Sequence, residues 1–571
     1  MTTFSTAHRS SSSNCLTPVK INKLKNYDSI SVTYEGPKMP DAISPRSALP
    51  VHHTHTHSNQ KLKLLPLAIL VFYNVSGGPF GIEPSLRSGG PFYTILGFLI
   101  LPFIWSIPEA LVTAELGSAF KSSSGGVIWV QTAFGETAGA FCGYLGYVAG
   151  ATDNAIYPSL FLSYLAGSLD ADMNQYERFL YVSVISLVLA WLNFRGLEIV
   201  GTGSVIVCII AMSPFVIMTL LGLSKVDSSK WFIKPEEGIN PTDIIDDDFE
   251  TSSGPLPLLF YGILLRPFLN NMFWNLNSFD SAASFACEVV DVHRTYPRGI
   301  FVAVLLCFLF YIIPLLVAIG ATDYAQHEWV DGQLGKAAKD IGGPWLGGWT
   351  VLAAGISNLA LFEAELSADS YQLMGMAEQG YLPSVLKTRS KHGTPTYGII
   401  IGTLIIICFS VADFSQLLEL LNVNYALALV LEYTAFVKLR YSNPNMERPY
   451  RIPIPNWAAV LLVIPPILAI AVLFLVANWI TYYFVIGTCI VCVGFHKMQE
   501  VARVKGWWEY DTVIFNGAQL VSTVEPTQSA GAFQTEYGDT DEEMTDSNCS
   551  STEEDISLVV VEGESRMGTF A

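Results

Sequence analysis

Apolar runs long enough to cross a lipid bilayer recur along this chain with little room between them, and that pattern decides its class. A helix rising about 1.5 Å per residue needs about 20 apolar residues to span about 30 Å of hydrocarbon. About twelve segments meet that criterion: 65–82, 93–116, 134–166, 179–194, 200–223, 256–288, 301–321, 345–371, 397–412, 417–438, 457–476 and 479–496. Only 14% of the 571 residues are charged and 51% are hydrophobic, a balance that leaves a water-soluble fold too little polar surface. The expected architecture is an all-α, multi-pass membrane protein, because helices close their own backbone hydrogen bonds where no water is present.

The ends of the chain read differently. Residues 1–61, rich in Ser, Thr, Pro and His, are expected to form a disordered tail; His52, His53, His55 and His57 lie in it, as a possible metal site or as plain tail. Residues 62–498 form the transmembrane domain, and 499–571 a second tail, acidic and rich in Ser and Thr. That tail clusters Asp539, Asp541, Glu542, Glu543, Glu553, Glu554 and Asp555, which accounts for much of the net charge of −19. Lys and Arg, with Lys438, Arg440, Arg448 and Arg451 among the inside-loop charges, favour one set of loops by roughly two to one, which places both tails in the cytoplasm. The nine cysteines lack metal-ligand spacing and suggest no disulfide framework. The acidic loop with Asp243, Asp246, Asp247, Asp248 and Glu250 either concentrates cations or is merely solvated.

Two spans carry sequences that oppose a continuous helix. The first contains Asn74-Val-Ser-Gly-Gly-Pro-Phe-Gly-Ile-Glu83. Pro79 has no amide hydrogen and Gly77 and Gly78 hold helix weakly, so the backbone is expected to unwind there. Unpaired backbone groups are tolerated at membrane depth only inside protein or beside a hydrated cavity, which points to a binding site lined by Ser76, Gly77 and Gly78. A simple proline kink is the plainer reading. The sixth span contains Phe273-Trp-Asn-Leu-Asn-Ser-Phe-Asp280, where Asn and Ser compete with helical bonding. Breaks in the first and sixth spans are what an inverted repeat of five plus five helices predicts.

Carboxylates in apolar runs are the next signal, since an ionised group at the bilayer centre costs several kcal/mol unless it faces a partner, water or ligand. Glu83, Glu109, Glu115, Asp153 and Asp280 lie in or beside spans, and Arg266 is the one clear intramembrane cation to answer them. That excess favours a small cationic substrate, or a proton relay. Glu115 also suits an ordinary helix end. Trp274, Phe279, Tyr157 and Trp105 offer rings for an ammonium group, although each also serves as packing. Glu365 and Asp369, four apart on one helix face, repel unless one is protonated, a cation lies between them, or water screens both. Glu109, Glu365 and Asp369 are therefore candidate proton carriers.

These strings resemble the amino acid–polyamine–organocation superfamily and, within it, the polyamine uptake transporters of plants and protists. The resemblance is carried by Ser76-Gly-Gly-Pro-Phe-Gly-Ile-Glu83, Pro102-Phe-Ile-Trp-Ser-Ile-Pro-Glu-Ala-Leu111, Asp153-Asn-Ala-Ile-Tyr-Pro158, Trp274-Asn-Leu-Asn277 with Asp280, Glu363-Ala-Glu-Leu-Ser-Ala-Asp369 and Arg448-Pro-Tyr-Arg-Ile-Pro453. It implies a five-plus-five inverted-repeat (LeuT-like) core with two C-terminal helices and proton-coupled uptake of putrescine, spermidine or spermine without a cofactor; no metal cluster, Ser–His–Asp set or phosphate loop appears among the spans to suggest an enzyme. It implies a substrate site of Ser76, Gly77, Gly78, Glu83, Asp153, Asn154, Tyr157, Trp274, Asn277 and Asp280, in a plasma-membrane protein with no role for nucleic acid. Ser278 departs from the family pattern, which would place an aromatic residue there. An amino-acid permease, holding a carboxylate on amides near Gly77 and Gly78, and a nutrient sensor that binds without transport are the alternatives.

Overall fold

A computed structural model describes residues 62–511, except 121, 170–172, 236–258, 261 and 410–413, together with short strands at Val513–Asn516 and Gln519–Ser522. The histidine-rich tail, the acidic 243–250 loop and the acidic C-terminal cluster lie outside the described residues.

The described chain is nearly all helical. In order, the α-helices are α1 (Leu64–Val75), α2 (Glu83–Leu101), α3 (Ile107–Ala119), α4 (Gly126–Phe134), α5 (Glu136–Asn154), α6 (Ile156–Leu169), α7 (Gln175–Phe194) and α8 (Leu197–Gly222). There follow α9 (Leu265–Leu276), α10 (Val292–Ala321), α11 (Gln333–Gly342), α12 (Pro344–Glu378), α13 (Thr396–Phe409), α14 (Phe414–Ser442), α15 (Asn456–Val476) and α16 (Trp479–Val504). Among the described residues, 8 helical segments are long and apolar enough to cross a membrane, with α1 and α13 as shorter apolar helices.

Local chemistry explains where helices stop. α1 ends at Val75, and the chain is non-helical until Glu83, with Gly78 and Gly81 at φ of +89° and +78°. Those backbone angles suit glycine, which has no Cβ to clash. A second reversal falls at Gly90, φ +66°, just before Pro91. A π-helical turn at Pro102–Ser106 joins α2 to α3. Between α5 and α6 the helix breaks at Ala155, because Pro158 has no amide hydrogen to give the Asn154 carbonyl. α9 ends at Leu276, and after Ser278 at φ +73° the chain resumes as a 3₁₀ helix, Phe279–Glu288. Both interruptions expected from the sequence are therefore present.

α12 lies at the centre, packed against α1, α5, α6, α8 and α13, while α14 packs on α4 and α5. Facing outward, Ile209, Leu220, Ile490 and Val491 are each more than half exposed, as side chains that meet lipid should be. Leu62, just before α1, pairs with the end of the 3₁₀ helix: its amide donates to the Glu288 carbonyl at 3.0 Å, and Val290 donates to the Leu62 carbonyl at 2.9 Å. Beside this bridge Glu288 is ion-paired with Arg389 at 2.7 Å. The chain beyond α16 folds onto the same end, where Ser384 donates to the Glu509 carbonyl at 2.7 Å and Lys387 pairs with Asp511. α16 itself runs to Val504, and the contacts of this end continue to Asp511.

The sequence reading of charge needs one correction. Arg440 is not a loop residue: it lies within α14, fully buried, and both of its edges reach the Glu115 carboxylate, with Nε to Oε1 at 3.0 Å. Arg448 adds a contact at 3.2 Å, and the Ile452 amide donates to the same carboxylate at 2.9 Å. Arg266 is therefore not the only buried cation in the membrane domain, since Arg440 was hidden by its place at the end of a span. Glu115 closes α3 as a structural hub.

Candidate functional site

The two interrupted segments meet. Asn74, at the end of α1, donates through Nδ2 to Ser281 Oγ at 2.9 Å, tying the first break to the second. The freed backbone groups find side chains instead of helix partners, as buried amides and carbonyls must. Ser357 of α12 donates to the Gly77 carbonyl at 2.5 Å, and Asn271 and Asn275 of α9 donate to the Gly81 carbonyl at 2.8 and 3.2 Å. Ser106 donates to the Leu276 carbonyl at 2.6 Å. At the second break the Ser278 amide donates to the Tyr425 hydroxyl at 3.1 Å. Ser278 holds a left-handed backbone, an uncommon state for a residue with a side chain and a frequent mark of function.

Two small adjoining cavities occupy the space between the breaks. The first, about 20 Å³, is lined by Gly77, Gly81, Asp153, Tyr157, Trp274 and Ser357, among others. The second, about 60 Å³, lies toward the end that carries Leu62 and includes Asn277, Asp280, Glu365, Asp369, Tyr425 and Glu432. Asn74, Asp153 and Ser278 line both, so the two adjoin. A water needs about 10–15 Å³ by this measure, so as they stand the cavities suit a few waters.

The polar lining is acidic. Asp153 accepts from Trp274 Nε1 at 2.9 Å, and Tyr157 donates to Glu365 Oε1 at 2.6 Å. Tyr425 bridges two more carboxylates: its hydroxyl contacts Asp280 Oδ1 and lies 3.1 Å from Glu109 Oε1, which also accepts from the Asp280 amide at 3.2 Å. Five carboxylates face the second cavity, Asp153, Asp280, Glu365, Asp369 and Glu432, and no Lys, Arg or His stands among its lining residues. Concentrated negative charge out of water favours a cation or a shared proton.

The expected site residues divide. Gly77, Asp153, Tyr157, Trp274, Asn277 and Asp280 line the cavities, as do Glu365 and Asp369, which are buried instead of water-screened. Glu109 stands directly behind Asp280. Ser76, Gly78, Glu83 and Asn154 do not line either cavity. Ser76 Oγ accepts from the Gly78 amide at 3.0 Å, and Glu83 turns back to accept from the Gly81 amide at 3.0 Å. Asn154 is fully buried. Of the aromatic candidates, Trp105 and Phe279 pack outside the lining, Trp105 edge-on to Phe273 at 5.3 Å. Glu432 and Tyr425 were missed. Glu432 offered the same signal as Asp153, a carboxylate within an apolar run, whereas nothing local marks Tyr425.

Comparison with known proteins places these features in context. The amino acid permease family model matches residues 62–495. A probable polyamine transporter of Arabidopsis thaliana is 42% identical over 451 residues, covering 78% of this chain and 89% of the relative. A polyamine transporter of Oryza sativa subsp. japonica is 39% identical over 415 residues, 73% of this chain and 74% of its own. A branched-chain amino acid permease of Bacillus subtilis is 26% identical over 231 residues, 40% of this chain and 48% of its own.

Proposed function

The chain belongs to the amino acid permease family, and from that membership we propose that it carries polyamines across a membrane by alternating access. The observation that supports this reading most is the cavity between the two breaks, with five carboxylates and no basic side chain among its lining residues. A polyamine brings the positive charges that such a lining lacks. One ammonium group sits by Asp153, against the Trp274 ring, and near the Gly77 and Gly81 segment. The closed cavities are smaller than this substrate, so admission requires the helices to part.

In this reading the membrane domain has twelve crossings. The first is broken between α1 and the start of α2, the second runs from Pro91 through α3, and the third is the kinked pair α5 and α6. The sixth is α9 with the 3₁₀ helix, and the first ten crossings form two inverted repeats of five. The protein sits in the plasma membrane with both termini in the cytoplasm, which makes the Leu62–Val289 bridge the inner closure.

The amino-acid alternative needs free amides for a substrate carboxylate. Here Ser76 already takes the Gly78 amide and Glu83 takes the Gly81 amide, so two of the amides at the break are held by the chain's own oxygens. The coupling proton belongs to the Glu109–Tyr425–Asp280 group, where two carboxylates share one hydroxyl and cannot both stay ionised at low cost. Glu109→Gln mimics the protonated state. It is expected to lower accumulation driven by a pH gradient at least tenfold while spermidine–spermidine exchange continues; equal loss of both would remove Glu109 from coupling.

The reading as a whole is tested in proteoliposomes with labelled spermidine and an imposed pH gradient. Uptake is expected, with competition by putrescine and spermine and none by leucine or arginine. Competition by those amino acids instead would establish a permease of another specificity, and binding without flux would establish a sensor.

A further inference from the structure

Two carboxylates in the second cavity have no part in the arrangement described so far. Asp153 is held by Trp274, Glu365 by Tyr157, and Asp280 by Tyr425. Asp369, on α12, is 9% exposed and makes no hydrogen bond or ion pair among the described residues. Glu432, on α14, is 5% exposed, and among the described residues its one hydrogen-bond contact is from the Cys142 thiol, a weak donor 4.0 Å from Oε1. Both line the cavity. A buried carboxylate left in this state is unstable unless a ligand or proton completes it.

The surrounding backbone is shaped to admit these two side chains. A Cβ added at Gly150 would stand 2.3 Å from Asp369 Oδ1, and one at Gly126 would stand 1.7 Å from Glu432 Oε1. Only glycine leaves space for the carboxylates at these points. They approach from different walls, Asp369 across α5 and Glu432 across the start of α4. The rest of the lining mixes Gln372 and Ser284 with the apolar Leu421, Ala428, Ala149 and Ala368, a surface that suits methylene groups ending in a charged donor. No set of three His, Cys, Asp or Glu side chains among the described residues is grouped to hold a metal ion. An ammonium group, with three donors and no fixed coordination geometry, makes fewer demands.

Resting on the polyamine reading of the first cavity, we propose that the second cavity is a separate ammonium subsite, in which Asp369 and Glu432 hold a distal nitrogen of a long polyamine. The first nitrogen lies by Asp153 and Trp274. The carbon chain then passes Asn74 and Ser278, which line both cavities, and delivers the distal terminal charge to the Asp369–Glu432 gap. The subsite selects for chain length and for the number of charges, because a diamine too short to reach it gains nothing there.

The test is equilibrium binding of labelled putrescine, spermidine and N-butylputrescine to the full chain in detergent at one pH. N-butylputrescine is spermidine with its distal amine replaced by methyl. Wild type is expected to bind spermidine at least tenfold more tightly than this analogue. Glu432→Gln and Asp369→Asn should each shrink that difference to within threefold, and lower the spermidine-to-putrescine affinity ratio at least tenfold. Equal binding of spermidine and the analogue by wild type would overturn the subsite without using any variant that fails to fold. So would an unchanged ratio, or equal weakening of all three amines, in folded variants. Failure of wild type to bind any of the amines would overturn the polyamine reading itself, a result distinct from loss of the length dependence alone.

Discussion

Asp153→Asn is expected to reduce polyamine uptake by about 100-fold or more while leaving the fold intact. The substitution keeps shape and an oxygen that can accept from Trp274 Nε1, so the contact at 2.9 Å has a replacement. What disappears is the charge at the point shared by both cavities. Removing one partner of a buried ion pair costs about 3–5 kcal/mol, and each 1.4 kcal/mol is about tenfold in affinity. Initial uptake of labelled spermidine in proteoliposomes, beside a thermal melt of the same preparation, checks both halves. Uptake within tenfold of wild type at unchanged stability would remove Asp153 from the substrate's charge pairing.

Glu115→Ala acts on stability. It strips the common partner from Arg440, which is fully buried, and from Arg448 and the Ile452 amide. Because the guanidinium groups stay in place, the loss is expected to be about 3–5 kcal/mol, the range for a buried charge left without its partner. It should appear as a lower melting midpoint in detergent and reduced recovery of folded protein. Glu115→Gln, which keeps two polar atoms, is expected to fall between wild type and Ala. A melting midpoint unchanged in Glu115→Ala would show that water reaches this cluster and screens it.

The parts of the structure visible in the sequence are those where one residue type conflicts with its immediate surroundings. Gly77, Gly78 and Pro79 cannot sustain helix, and Asp153 cannot lie idle in an apolar run, so both breaks and one wall of the site were legible. The same rule applied to Glu432 and was not followed there. The Glu109–Asp280 contact joins residues 171 apart and the Arg440–Glu115 pair residues 325 apart, and no local pattern encodes such meetings. Arg440 therefore read as loop charge. Glu83 was misleading for a related reason: its place after the break was evident, but its turn back onto Gly81 depends on backbone angles that composition does not specify.

The seal at the Leu62 end sets how an empty carrier behaves. To open there, the molecule must release the two backbone hydrogen bonds of Leu62 and the Glu288–Arg389 pair. At about 1 kcal/mol for each hydrogen bond, and with the ion pair discounted because Arg389 is partly exposed, the sum is about 3 kcal/mol. That confines the unsealed form to about 1% of idle molecules. Futile cycling, in which a gradient drains through a protein with nothing aboard, is suppressed by the same few bonds that a bound cargo must repay.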